Sequence, residues 1–168
     1  MELIFPTFEH KQAALEYKQE FIDYGETHIH GSGNFTKAES YESWLEKIIT
    51  EQTTAPPGFV TGSVYFAVEN GKIIGTIAVR NYLNDALLKK GGHIGYAIRP
   101  SERQKGYGTK MLALALEKCR NIDIDKVLIT CDKSNIASSK TALRNGAVLE
   151  NEITEENGNT IQRYWIVL

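Results

Sequence analysis

Cysteine, proline and surplus charge are all scarce in this chain. The only two cysteines of 168 residues, Cys119 and Cys131, are too widely spaced for a Cys-x-x-Cys clip. That argues against a disulfide scaffold or a thiolate zinc site, and favours a buried, reduced pair in a cytoplasmic protein. Nineteen lysines and arginines face 21 aspartates and glutamates, a net charge of −2. A broad nucleic-acid surface needs a basic excess that is missing here, so no nucleic-acid partner is expected. No apolar run is long enough to cross a bilayer, and Met1–Pro6 lacks the basic-then-apolar pattern of a signal peptide, so no membrane is expected either. Repeats, low-complexity tracts and linkers are absent. Hydrophobic residues make up 42% of the chain, enough for one core, and a single domain over 1–168 is expected.

The chain opens on a short strand at Leu3–Phe5, stopped by Pro6. Ala14, Tyr17, Phe21 and Ile22 recur at helical spacing between Phe8 and Tyr24. The stretch 25–34 is rich in glycine and polar residues and reads as a loop. Tyr41, Trp44, Leu45 and Ile48 mark a second helix over Glu39–Thr50. Asn70-Gly71 supplies the positive φ angles of a tight turn between strands Val64–Val68 and Lys72–Arg80. After a link over 81–92, a strand at Ile94–Ile98 leads to a helix ending near Asn121. A strand at Val127–Cys131, a helix over Asn135–Asn145 stopped by Gly146, and a hairpin of Val148–Ile153 and Thr160–Val167 complete the chain. The order β, α, α, β, β, β, α, β, α, β, β implies an α+β (mixed α/β) fold. Its sheet is central, mixed and mostly antiparallel, with a βαβ core and helices on both faces.

Arg103-Gln104-Lys105-Gly106-Tyr107-Gly108 lies between the strand at Ile94–Ile98 and the following helix. A strand, a short basic glycine loop and a helix form an arrangement that cradles phosphate. The glycines admit close backbone approach and several N–H groups converge at the helix start. Arg103 and Lys105 add positive charge. A dinucleotide fingerprint fails because Met111 stands at the third glycine position, and Gly108-Thr109-Lys110 has the wrong order for a Walker loop.

This segment resembles the acyl-CoA pyrophosphate loop of the GNAT (Gcn5-related N-acetyltransferase) family, whose pattern is Arg/Gln-x-x-Gly-x-Gly/Ala. Gly91–Pro100 is similar to the family's fourth strand, which splays from its neighbour and receives the pantetheine arm. Cys131–Asn135 and Ile136–Ser139 resemble a later motif in which an Asn is followed eleven residues on by Gly, as Asn135 is by Gly146. The closest likeness is to a bacterial branch of predicted acetyltransferases. The resemblance implies an acyl-CoA-dependent N-acyltransferase that moves acetyl from acetyl-CoA to a primary amine by direct attack. It implies CoA binding by Ile98, by Arg103, Gln104, Lys105, Gly106, Tyr107, Gly108 and Thr109, and by Asn135, Ser138 and Ser139. In one respect the chain departs from the family: Ala142 stands where many members carry a tyrosine that protonates the leaving thiolate.

Transfer requires the thioester to be held, its carbonyl polarised and the amine delivered unprotonated. Backbone N–H groups near Tyr96–Ile98 suit polarisation. His93, at the entrance of that strand, is the candidate base, with Tyr96 as a relay through water or simply a packing residue. Tyr164 and Tyr107 are lesser acid candidates. In this fold the connection between the first two helices walls the acceptor pocket, so Glu26 and His28 are candidate acceptor-binding residues. His28-x-His30 lacks further ligands for a metal site, so no metal is expected. A small-molecule or peptide amine is the expected acceptor. Exposed edge strands leave a homodimer open. A non-catalytic acyl-CoA sensor and an enzyme using a longer acyl donor are the alternative readings.

Overall fold

The computed structural model describes residues 1–168. Its strands are β1 (Glu2–Ile4), β2 (Gly62–Glu69), β3 (Lys72–Arg80), β4 (Ile94–Ile98), β5 (Lys126–Asp132), β6 (Val148–Thr154) and β7 (Thr160–Val167). The helices are α1 (Lys11–Asp23), α2 (Tyr41–Thr50), α3 (Asp85–Lys89), α4 (Tyr107–Arg120) and α5 (Ile136–Arg144). The link expected over 81–92 therefore contains a short helix, α3. Asn84 caps it by accepting a hydrogen bond from the Leu87 N–H. The first expected helix begins as a 3₁₀ turn at Phe8–His10, and the second starts at Tyr41, where Ser40 and Ser43 form a reciprocal cap.

The strands form two antiparallel sheets, ordered β1-β2-β3-β4 and β5-β7-β6, rather than one continuous mixed sheet. Only the parallel junction of β4 with β5 is interrupted. There, His93 N–H donates to Leu128 O at 2.8 Å, and Leu128 N–H donates back to His93 Nδ1 at 2.9 Å. Beyond that point the two strands separate.

Two cores flank the first sheet. Ala14, Tyr17 and Phe21 of α1 and Tyr41, Trp44, Leu45 and Ile48 of α2 close over Val64, Phe66 and Ile73 on one face. Apolar residues at i, i+3 and i+4 give each helix the single buried stripe this requires. On the other face Met111, Leu112, Ala115, Leu116 and Cys119 of α4 lie under both sheets, touching Ile77 and Ile94 of one and Val127, Ile129 and Ile166 of the other. The helix α4 thus joins two sheets that hydrogen bonding leaves nearly separate. No helix is long and apolar enough to cross a membrane.

Candidate active site

The separation of β4 from β5 opens a groove of about 1550 Å³ that runs from the start of α4 to the connection between α1 and α2. One end is lined by backbone. Gln104 and Gly106 take left-handed conformations, with φ of 62° and 80°, and Gly106 is the N-cap of α4. A Cβ at Gly106 would meet nothing within 4 Å, so glycine serves the backbone angle and leaves the approach clear. No side chain caps α4, and none of the N–H groups from Gln104 to Thr109 has an acceptor within the protein. Consecutive free donors at the positive end of a helix dipole form a receptor for an anion.

From this cradle the groove follows β4. Antiparallel ladder bonds alternate, and Arg80 N–H reaches His93 O while Arg99 N–H reaches Ile74 O. The odd-numbered residues of β4 therefore pair with β3, and the peptide groups of Ile94, Tyr96 and Ile98 turn toward the gap. This exposed edge can accept an extended amide chain as a further strand. Across the gap, Asn135 caps α5 by accepting from Ser138 N–H at 3.1 Å. The Tyr96 hydroxyl reaches Ser138 Oγ at 3.0 Å, and burial pushes its pKa up to about 12.

The charged candidates are committed elsewhere. Arg103 makes a two-pronged pair with Glu26, at 2.5 and 2.8 Å, and lies over the rings of Phe21 and Tyr24. Its hydrogen bonds hold the Glu26 carboxyl below the usual range, despite partial burial. Lys105 is not among the groove-lining residues and binds Glu102, which also binds Lys72. The two lysines hold Glu102 at about 2.

His93 lies outside the groove lining and is only 7% exposed. Burial, and next the Arg80 charge, lower its pKa to about 4. With Nδ1 accepting from Leu128, the neutral ring carries its proton on Nε2 and has no free lone pair for an amine proton.

A family model described as Acetyltransferase (GNAT) domain matches residues 3–148. The chain belongs to this family. Several solved GNAT structures share its fold. A microcin self-immunity acetyltransferase, solved with acetyl-CoA and AMP, has a TM-score of 0.71 at 20% identity, over 99% of this chain and 91% of that one. A Salmonella typhimurium acetyltransferase that modifies the N-terminal serine of a 50S ribosomal subunit protein gives 0.70 at 17%, over 99% and 94%. An aminoglycoside acetyltransferase in complex with coenzyme A gives 0.67 at 16%, also over 99% and 94%. No protein of curated function matches by sequence.

In this GNAT domain the groove gathers Tyr96, Ile98, Arg103, Gln104 and Gly106 with Tyr107, Gly108 and Thr109, then Asn135 and Ser138, and also Glu26, beside Arg103, and His28. Ser139 is left out: it is buried one residue round α5 and donates to Ile136 O. Ala142 is fully buried in the α4 core, facing away from the groove. Tyr107 lines the groove, whereas Tyr164 is buried in the core.

Sequence reasoning missed Lys140 and Arg144. They line the groove on α5, four residues apart, and have no carboxylate partner. Their i, i+4 spacing was the available signal. The stretch 25–34, read from its composition as a loop, is pinned: Ile29 and Ser32 are buried, and Trp44 Nε1 donates to Ser32 O at 2.7 Å. No group of three or more His, Cys, Asp or Glu side chains is placed to hold a metal ion.

Proposed function

We propose that this GNAT acetyltransferase, acting as one unit over 1–168, binds acetyl-CoA along the groove and passes its acetyl group directly to an amine entering from the His28 side. The observation that carries this reading is the row of unpartnered main-chain donors, first Gln104–Thr109 and then the free edge of β4. The first suits a pyrophosphate and the second an extended pantetheine amide chain. Lys140 and Arg144 supply the charge for the remaining phosphate, since Arg103 is paired with Glu26 and Lys105 is held by Glu102.

Acetyl-CoA brings an activated thioester carbonyl. The N–H groups of Tyr96 and Ile98, which turn toward the gap, are the donors assigned to that oxygen as negative charge grows on it. The amine nitrogen bonds to the carbonyl carbon, the carbon–sulfur bond breaks and the thiolate takes up a proton. Tyr96 and Ser138 form a hydroxyl pair suited to supply it. His93 acts as the clasp between the sheets.

The acceptor belongs among amines of the kind that similar enzymes take, a protein N-terminus or an aminoglycoside amine. The reading is tested by thiol release from acetyl-CoA against a panel of amines with an acceptor-free blank, alongside calorimetry with CoA. Acceptor-dependent release is expected. CoA binding with no release from any amine would favour the sensor reading, which Ala142 at the usual acid position supports.

A further inference from the structure

The connection between α1 and α2 places an imidazole in the groove on an unusually firm mount. Ile29 and Ser32, on either side of His30 and Gly31, are buried to within 1%. The His30 carbonyl accepts from Thr76 Oγ1 at 3.1 Å, and Thr76 in turn meets the buried Tyr17 hydroxyl at 3.2 Å. Gly31 rests on β4 itself: a Cβ there would lie 2.1 Å from Gly95 O and 2.8 Å from the Cα of Tyr96. The backbone of this loop is thus fixed against β4 at Gly95, next to Tyr96. The His30 side chain remains accessible in the groove.

We propose that His30 takes the proton from the attacking amine, and that the acceptor is therefore a weakly basic α-amine, such as a peptide N-terminus, rather than an alkylammonium. The inference rests on the acyl-transfer reading above. Three titratable groups face His30. His28, on the same loop, meets it edge to face with ring centres 4.5 Å apart. Asp132, at the end of β5, acts on it from the other wall. Glu26 does so from the end of α1, but its charge is bound to Arg103. Crowding by the groove walls, and next the His28 ring, lower the His30 pKa, whereas the two carboxylates oppose this. The ring is therefore neutral at pH 7 and has a lone pair to offer.

An α-amine has a pKa of about 8, and a lysine-type amine about 10.4. Proton transfer to a weakly basic imidazole is about a hundredfold less unfavourable from the first. The carboxylates along the groove point the same way. Glu26, Glu51, Glu102 and Glu155 each bind a cation of the protein, and Asp132 accepts from Asn159. Little negative charge is left to attract a polycation.

The test compares wild type and His30→Gln with an N-terminally free, lysine-free peptide and with spermidine, from pH 6.5 to 9.5. In the wild type at pH 7 the peptide should react at least about tenfold faster than spermidine. His30→Gln should lose about 100-fold in kcat/KM with the peptide at pH 7. That loss should shrink toward pH 9.5, where the amine is already free, while calorimetric CoA affinity is unchanged. Full activity in His30→Gln, a loss equal at every pH, or a preference for spermidine would overturn the proposal. A second readout needs no acceptor. Bromoacetyl-CoA should alkylate an imidazole nitrogen of His30 with loss of bromide, detected by peptide mass analysis and blocked by CoA. CoA-protected labelling elsewhere, or none in a protein that binds CoA, sinks this assignment alone, whereas failure to bind CoA sinks the acyl-transfer reading itself.

Discussion

At the scale of single residues, His93 and Tyr96 lie three positions apart on one edge and do different work. His93→Ala should orphan the buried Leu128 N–H and cost about 1–3 kcal/mol in urea unfolding, with CoA still bound. Its pKa of about 4 lies below the ordinary imidazole value of about 6.5, so the folded state holds fewer protons than the unfolded one. The stability due to His93 is thus present above pH 6.5 and lost as the pH falls toward 4. His93→Gln should lack this part of the acid sensitivity when its denaturation midpoints are compared with those of the wild type. Tyr96→Phe should leave the ring packed but lower kcat by about tenfold near pH 7, with less effect above the pKa of about 8.5 expected for a thiol leaving group. The sequence placed His93 next to the active strand but could not show what its nitrogen touches. That partner, Leu128, lies 35 residues away and is fixed only when α4 packs under both sheets.

At the scale of elements, the segment from β4 to α4 was the most legible part, because its chemistry is local: glycine frees the backbone and the helix start aligns the donors. Gly106→Ala should weaken CoA binding through backbone strain of about 1 kcal/mol, measured as a several-fold rise in Kd, although its methyl group would touch nothing. The charges were less legible. Arg103 and Glu26 had been expected to serve a phosphate and an amine, yet they bind each other 77 residues apart. Only the folded arrangement of α1 against the loop brings them together. Lys140→Glu combined with Arg144→Glu should raise the Kd of CoA by about tenfold or more in calorimetry and affect dephospho-CoA less. An equal loss for both ligands would remove these residues from phosphate binding. The small helix α3 escaped notice because five residues show no periodicity, although Asn84 stood in the right place to cap it.

At the scale of the whole molecule, the order of strands and helices was readable from hydrophobic spacing and from turns such as Asn70-Gly71, whose φ angles are 51° and 75°. Spacing did not show the division into two sheets, because a strand's alternation is the same whether one neighbour or two lie beside it; only the family resemblance of Gly91–Pro100 implied a splayed strand there. Hydrogen exchange reports the division directly. The amides of Tyr96 and Ile98 should exchange quickly in the free protein and slow on addition of CoA, while that of Ile129, paired with Tyr164 of β7, changes little. The gap also governs timing. A donor lying along β4 would become one wall of the space in front of His30, so an amine arriving first would meet an unfinished pocket. Turnover should then follow a compulsory sequence, donor before acceptor and acetylated amine released before free CoA. A dead-end analogue of the donor should compete with acetyl-CoA and be noncompetitive toward the amine.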